Sequence, residues 1–342
     1  MLKRISWLLT ITALFVGCTD ADEMAPDLNN DTLMITEPEA FPIGMDPDFF
    51  AADVLPQYPD IKSCHSQGIE IVDDQFFLSC TVYGSTADRD VYAKSFLLKA
   101  KLSEVLSNSG SVTWTKHEIT ETTVIDNITR ALGHPSGIVY DAERGGIWSA
   151  IAVYKALTHT RMTLYSPDTL APMPGATPIT IEDHIGTIGL LPDGRLIGMN
   201  WDSIDLYSVD PRDVSTQTDD IIDKVANTLT TAYQDCDTWD SSHFMCGGVL
   251  KEIDGIKYGR LHLLEVGAQG VQLTREVPLK LPDGTTSVRL GAADQDNTYG
   301  TYHITEALGN EGFAISADRK YAYFFPGDVP GGELVRYRLV DE

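Results

Sequence analysis

The sequence predicts an all-β fold, and three observations carry this prediction. Short apolar runs such as IEIV, FFLSCTVY and SFLLKAKL alternate with Gly, Asp, Asn or Pro turns, as antiparallel hairpins require. The order of these runs repeats along the chain. Amphipathic helical pattern is almost absent, and the best candidate is a short piece from Asp219 to Ala226.

The repeated unit consists of a first strand, an acidic or Asp-Gly turn, an aromatic-rich second strand and a third strand. Four copies are clear, and a fifth, weaker copy follows Cys236. Segments such as VTWTKHEI are expected to add the outer edge strand. Four-stranded units that bury their faces against their neighbours are the mark of a β-propeller. We expect five antiparallel blades, because the stretch from Asp283 to Gly309 has the pattern of an irregular insertion. Six blades remain the alternative, and a strand from residues 30–60 is expected to close the ring.

The N-terminal residues 1–18 have the form of an export signal. Lys3 and Arg4 precede an apolar run that is short for a membrane span, and Gly17 stands before Cys18. The stretch resembles a bacterial lipobox, which implies cleavage before Cys18 and its lipidation. An ordinary cleaved signal is the alternative. Residues 19–50 are acidic and poor in core-forming residues, which predicts a flexible tether, and residues 51–342 are expected to form one propeller domain.

The charge balance restricts the possible partners. Lys and Arg total 25 against 50 Asp and Glu, which gives a net charge of −25. Nucleic acids and anionic lipid surfaces would repel such a chain, so contact with a membrane is expected through the lipid anchor only. Together with the lipobox-like segment, which implies anchoring, the sequence predicts an exported monomer at the bacterial outer membrane or cell surface, with its soluble domain in the periplasm or outside.

The chain has five cysteines, and an even number remains if Cys18 carries the lipid. Cys64, Cys80, Cys236 and Cys246 then remain in an oxidising compartment, which predicts two disulfides. Three pairings are possible. The likeness of the segments CHSQGIEIVDDQFFLSC and CDTWDSSHFMC favours the local pairing of Cys64 with Cys80 and of Cys236 with Cys246.

Histidines recur at one position of the repeated unit. Three of them stand three residues before the first-strand residues Gly68, Gly137 and Thr187, namely His65, His134 and His184. The first strands of a propeller line its central channel, so these imidazoles are expected at one level of one channel mouth. The register of the cysteines puts Asp237 at the same level, and Glu311 lies nearest to it in the last unit.

This ring has three possible interpretations. Three imidazoles with one or two carboxylates could hold a divalent metal, with zinc, manganese, iron and calcium as the candidates. The ring could instead bind a polar ligand without metal, with Gln67 and Trp239 as further binding residues. The histidines could also be purely structural. In an enzyme, Glu311 or Asp237 would serve as the catalytic base.

At its repeated HxxG blades the sequence resembles secreted propellers of the gluconolactonase and NHL type, and more closely uncharacterised bacterial propeller lipoproteins. HSQGIEIVDDQFFLSCTVYG is similar to the first blade of five-bladed glutaminyl cyclases, which implies that Gln67 and Gly68 lie at the channel mouth. The second unit does not continue that pattern, so cyclase activity is not carried over. The arrangement of His65, His134 and His184 is similar to that of the histidines in manganese-binding propeller polysaccharide lyases.

Two functions are therefore expected from the sequence. The first is an exported propeller whose polar, histidine-rich mouth binds a small molecule, glycan, peptide or envelope protein. The second is a metal-dependent hydrolase or lyase that uses the histidine ring. The absence of a recognisable nucleophile or base motif favours binding.

Overall fold

The structure is a computed structural model, and it describes residues 33–53, 63–82, 94–107, 111–125, 127–153, 159–200, 205–212, 222–226, 233–253, 256–267, 270–278, 288–289 and 311–341. The expected signal with Cys18, the first part of the tether and most of the insertion at 283–309 lie outside these residues. Within the described residues, no helix has the length and hydropathy that crossing a membrane requires.

The described elements form five antiparallel sheets arranged as blades. The strand β1 spans Leu33–Pro42. The first blade holds β2 (His65–Val72), β3 (Gln75–Val82), β4 (Lys94–Lys101) and β5 (Thr115–Ile119), with the short helix α1 (Leu102–Leu106) after β4. A separate hairpin holds β6 (Thr122–Ile125) and β7 (Ile128–Ala131). The second blade holds β8 (His134–Asp141), β9 (Gly146–Ala152), β10 (Thr160–Tyr165) and β11 (Ile179–Ile181).

The remaining blades follow the same order along the chain. The third holds β12 (Ile185–Leu190), β13 (Leu196–Asn200), β14 (Asp205–Val209) and β15 (Ile222–Ala226). The fourth holds β16 (Asp235–Thr238), β17 (His243–Ile253), β18 (Ile256–Gly267) and β19 (Gly270–Pro278), and β20 (Val288–Arg289) also pairs with β18. The fifth holds β21 (Gly312–Ile315), β22 (Tyr321–Phe325) and β23 (Glu333–Asp341). The predicted five-bladed propeller is confirmed.

The N-terminal strand closes the ring. β1 pairs antiparallel with β23 and so supplies the outermost strand of the fifth blade. The carboxylate of Glu39 on β1 accepts hydrogen bonds from the guanidinium of Arg336 on β23. The closing strand therefore lies in the expected range of residues 30–60. The tether was predicted to reach residue 50, and this boundary is wrong, because residues 33–42 meet an open strand edge whose backbone groups pair with them.

The predicted helical piece from Asp219 to Ala226 is also corrected, because Ile222–Ala226 forms the edge strand β15. This strand pairs antiparallel with β14 from Val209 to Asp205. A helix of so few residues is unstable alone, whereas the open edge of β14 offers a full set of backbone partners. The tertiary environment therefore decides the conformation of this segment.

Large apolar side chains fill the space between the blades. Phe76 of the first blade lies against Phe325 of the fifth, with ring centroids 6.2 Å apart. Trp148 of the second blade is buried in one apolar cluster with Ile185 and Ile188 of the third blade. Such contacts hold each blade against the next and fix the first strands around the axis.

Both local disulfides are formed, so the favoured pairing is confirmed. Cys64 is bonded to Cys80 and Cys236 to Cys246. The second bridge crosses the directly paired strands β16 and β17. The first bridge joins β3 to the residue that precedes β2, where the polar part of the channel begins.

Candidate functional site

The innermost strands of the five blades surround the axis and run in the same direction: β2, β8, β12, β16 and β21. Each belongs to a different sheet, so each presents one edge of its backbone to the channel instead of to a partner strand. Buried N–H groups on such an edge need an acceptor. Carboxylate side chains of the inner strands supply it.

Asp235 fills the axis halfway along the channel. Its Oδ2 accepts hydrogen bonds from the backbone N–H groups of Ile69 on β2 at 2.9 Å and of Phe313 on β21 at 3.1 Å. Its Oδ1 accepts from the N–H of Cys236 at 3.1 Å, and the residue is fully buried. One carboxylate therefore ties the fourth blade to the first and the fifth.

Glycines make room for this carboxylate. A Cβ atom at Gly137 would lie 2.5 Å from Oδ1 of Asp235, and one at Gly68 would lie 2.8 Å from the Cα of Gly137. A Cβ at Gly312 would lie 2.8 Å from the side chain of Ile69. We call the level of Gly68, Gly137, Thr187, Asp235 and Gly312 the waist. The waist is closed, because backbone and carboxylate are in van der Waals contact across the axis.

Beyond the waist the inner strands end, and we call this end of the channel the carboxylate end. Here Glu70 links the first blade to the second, and Asp237 links the fourth to the fifth. Glu70 Oε2 accepts from the N–H of Tyr140 at 2.7 Å, and Asp237 Oδ2 accepts from the N–H of Ile315 at 2.7 Å. Burial raises the pKa of Glu70 well above its usual value, and the Asp237 carboxylate adds to this shift. Burial also raises the pKa of Asp237 to about 6. These acids act as acceptors for inner-edge backbone groups.

At the opposite end, where the inner strands begin, His65 is held between two carboxylates. We call this the histidine end. His65 Nδ1 lies 2.8 Å from Asp328 Oδ1, and His65 Nε2 lies 3.7 Å from Glu311 Oε1. Gln67 Nε2 donates to Oε2 of the same Glu311 at 3.3 Å and to the carbonyl of Ser66 at 2.9 Å. Four polar side chains from β2, the approach to β21 and the loop after β22 therefore converge here.

Two more imidazoles lie at the histidine end, on the second and third blades. His134 and His184 are in contact, with ring centroids 5.3 Å apart, and each is 5% exposed. Burial lowers the pKa of His184 to about 4. This imidazole is therefore neutral at physiological pH.

The structure brings together most, but not all, of the site residues predicted from the sequence. His65, Gln67, His134, His184 and Glu311 stand at the histidine end, at or just before the starts of their inner strands. His65 contacts the carboxylates of Asp328 and Glu311, whereas His134 and His184 contact each other. No group of three or more His, Cys, Asp or Glu side chains among the described residues is arranged to hold a metal ion.

Asp237 and Trp239 are corrected, because both lie at or beyond the carboxylate end. The cysteine register aligned Cys236 with Cys64, but Cys64 precedes its inner strand whereas Cys236 lies within β16. This error shifted the alignment of the fourth unit with the other units and so assigned Asp237 to the wrong end of the channel. Trp239 follows β16, packs against the apolar cluster shared by the fourth and fifth blades and has the guanidinium of Arg319 5.8 Å from its ring.

Three carboxylates of the channel were not predicted from the sequence: Glu70, Asp235 and Asp328. For Glu70 the signal was an acid inside the apolar run GIEIV, and for Asp235 an acid placed directly before Cys236. Asp328 carries no sequence signal, because its place depends on a long-range contact. Val329 pairs with Cys64 through two backbone hydrogen bonds, and this pairing brings the neighbouring Asp328 against His65.

The pKa shifts predict opposite effects of two variants on the pH dependence of stability. Between about pH 4 and pH 6 the folded protein keeps a proton on Asp237 that the unfolded chain has released, so this group lowers stability as pH rises. His184 acts in the opposite sense, because the unfolded chain binds a proton that the folded protein excludes. Urea unfolding at pH 4, 5 and 6 should give a more positive slope of stability against pH for Asp237→Asn and a more negative slope for His184→Gln. Equal slopes in both variants would contradict this assignment.

The fold and these contacts define a β-propeller with a closed waist and a polar, histidine-bearing channel end. No protein-family model matches the chain, and the curated proteins contain no match. Among solved structures, the chain is similar to the β-propeller domain of the trilobed protease from Pyrococcus furiosus (10% identity, 77% of this chain and 79% of that one, TM-score 0.37). It is also similar to virginiamycin B lyase from Staphylococcus aureus (8%, 90% and 100%, 0.40) and to an arabinanase from Bacillus subtilis (12%, 80% and 93%, 0.40). At such identities the likeness concerns the fold alone.

Proposed function

We propose that this protein is an exported, lipid-anchored propeller that binds a small molecule, glycan, peptide or protein partner at the histidine end of its channel. The observation that carries the proposal is the group of polar side chains at this end, all of them buried except the partly exposed His65: His65, Gln67, His134, His184, Glu311 and Asp328. Burying polar groups is unfavourable, and their concentration in one concave place is typical of ligand sites.

The closed waist ends the channel behind the histidine end. The side chain of His65 is 25% exposed, whereas Glu311 behind it is 6% exposed, so solvent reaches the site from the His65 side. Asp235 blocks passage further along the axis. These features suit a small ligand or the terminal group of a larger one.

Charge narrows the class of ligand. The net charge of −25 and the two carboxylates around His65 disfavour anions. We therefore expect neutral polar or cationic ligands, such as sugars, amines or the amino end of a peptide.

Binding is better supported than hydrolysis or lysis. The enzymatic alternative used the three histidines as one metal site with Glu311 or Asp237 as base. Asp237 instead stands beyond the waist and accepts backbone N–H groups of Thr238 and Ile315.

The disulfides support the proposal of export. Cys64–Cys80 and Cys236–Cys246 are of the kind that persists in oxidising compartments. The lipid anchor rests on the lipobox-like segment that ends at Cys18.

A ligand screen tests the binding proposal. Thermal unfolding of the wild type and of Gln67→Ala would be followed with neutral sugars, amines and short peptides. At about one hundred times its Kd, a true ligand should raise the Tm of the wild type by about 5 °C and should have little effect on Gln67→Ala. His243→Gln, which alters a histidine on β17, is the matched control and should respond like the wild type. Ligands that stabilise Gln67→Ala equally would contradict the proposed site.

Membrane fractionation tests the anchor. Wild-type protein is expected in the membrane fraction, and Cys18→Ala should abolish lipidation and remove the protein from that fraction. Metabolic labelling with a fatty acid gives a direct readout. An unlabelled wild type that is still exported would favour the ordinary cleaved signal.

A further inference from the structure

We propose that the disulfide between Cys64 and Cys80 is a positioning element of the histidine end, because it holds the carboxylate of Asp328 against His65. The inference rests on the proposed function, since it gives this disulfide a role in shaping the ligand site. The disulfide of the fourth blade has no such role.

Asp328 reaches the histidine end from a loop of the fifth blade. This loop, residues 326–332, joins β22 to β23. Asp328 Oδ1 lies 2.8 Å from Nδ1 of His65, which belongs to the first blade. Asp328 is buried, with 8% of its surface exposed. The place of its carboxylate therefore depends on what holds the loop of one blade against the inner strand of the next.

A short antiparallel pairing holds the loop against the first blade. The N–H of Cys64 donates to the carbonyl of Val329, and the N–H of Val329 donates to the carbonyl of Cys64 at 2.9 Å. Two residues further along the first blade, the hydroxyl of Ser66 donates to the carbonyl of Gly327 at 2.8 Å. The histidine and the aspartate lie between these two contacts, so the pairing brings them together.

The disulfide anchors the first-blade side of this pairing. Cys64 precedes β2, so it lies outside the ladder that β2 forms with β3. Its bond to Cys80 ties it to β3, which pairs with β2 on one side and with β4 on the other. Both cysteines are fully buried in one apolar cluster with Val329. The anchored Cys64 therefore holds Val329, and with it the neighbouring Asp328.

The disulfide of the fourth blade offers a matched comparison. Cys236 and Cys246 lie directly opposite each other on β16 and β17, so strand pairing holds both residues without the bond. The sequence separation is 10 for this pair and 16 for Cys64 and Cys80. Loss of either bond should lower the Tm by a similar amount, because the unfolded chain gains similar freedom. Only loss of the first bond should change the histidine end.

NMR of the purified protein tests the inference without any organic ligand. The Cε1–H resonance of His65, assigned with His65→Gln, reports the surroundings of this ring. In the double variant Cys64→Ala, Cys80→Ala the resonance should move toward its position in Asp328→Ala. In the double alanine variant of the fourth-blade disulfide it should stay as in the wild type. Loss of the first disulfide in the Asp328→Ala background should not move it further.

Hydrogen exchange gives a second readout. The N–H of Val329 is protected by its bond to Cys64, so it should exchange at least about 10-fold faster in Cys64→Ala, Cys80→Ala. Its exchange should be unchanged in the fourth-blade variant, with urea adjusted so that both variants have equal global stability. The pair Cys64→Val, Cys80→Ala keeps more of the buried volume, and it replaces the double alanine variant if that variant does not fold.

The inference is overturned if a folded variant without the first disulfide keeps both the wild-type resonance of His65 and the wild-type exchange of Val329. Equal changes in the two disulfide variants would overturn it as well, because general loss of stability would then explain them.

The two proposals can fail separately. A ligand found in the screen should bind about 5- to 10-fold more weakly when the first disulfide is absent. If both readouts change but the screen finds no organic ligand, the positioning role stands and the binding function is contradicted. If a ligand binds equally well without this disulfide and neither readout changes, the positioning role is wrong and the binding function stands.

Discussion

Asp235→Ala is expected to lower the free energy of unfolding by more than about 4 kcal/mol, enough to prevent folding of many proteins of this size. The substitution removes the acceptor for three backbone N–H groups, those of Ile69, Cys236 and Phe313. All three are buried, so water cannot replace the carboxylate without opening the waist. Urea unfolding followed by tryptophan fluorescence measures the loss.

Asp235→Asn separates the role of the acceptor from that of the charge. The amide keeps one oxygen, which can accept from both Ile69 and Phe313, while its NH2 group replaces the oxygen that accepts from Cys236 and places a donor against that N–H. Burial raises the pKa of Asp235, so removal of its charge is not itself expected to be costly. Asn should therefore cost clearly less than Ala. Equal destabilisation by the two variants would show that the hydrogen bonds from Ile69 and Phe313 to one oxygen are not what makes this carboxylate stabilising.

Gly68→Ala is expected to destabilise the propeller by about 3 kcal/mol or more, with little soluble protein recovered. The added Cβ would lie 2.8 Å from the Cα of Gly137 and from the N of Ile138, and 2.9 Å from the O of Ser136. All three atoms belong to the backbone of the second blade, so no side chain can move aside. The first and second blades would have to separate at the waist.

Gly175→Ala is the control for this prediction. Gly175 has a positive φ of 82°, and the position that an alanine methyl group would occupy is open, so alanine there meets backbone strain but no steric contact. We expect a cost of about 1–2 kcal/mol from the left-handed conformation alone. The comparison of Tm values gives the test, and a Gly68→Ala protein as stable as Gly175→Ala would mean that the waist can widen freely.

The sequence predicted the repeating architecture because each blade is encoded locally. Alternating runs and turn residues specify hairpins, and the repeat of those hairpins specifies the ring. The two disulfides could be predicted for the same reason, since Cys64–Cys80 and Cys236–Cys246 each close a short segment within one blade. The histidines at the starts of β2, β8 and β12 followed from the same register.

Register errors arose where the repeat is irregular. In the fourth blade, β16 is short and its cysteine lies inside the strand, so alignment by cysteine placed Asp237 at the wrong end of the channel. Ile222–Ala226 was predicted as helical because so short a segment has too few residues to distinguish the hydrophobic period of a helix from that of a strand. In both cases the neighbouring strand determined the outcome.

The sequence by itself determined the fold class, the number of blades, the two disulfides and the set of polar residues before the inner strands. Only the tertiary structure decided which of these residues meet. Asp328 reaches His65, and Asp235 reaches Ile69 and Phe313, across large separations along the chain. Hydrogen bonds within a blade follow from local pattern, whereas bonds across the axis depend on how five blades close. The backbone N–H groups that face the axis after this closure require hydrogen-bond acceptors. The tertiary structure determines which side chain supplies each of them.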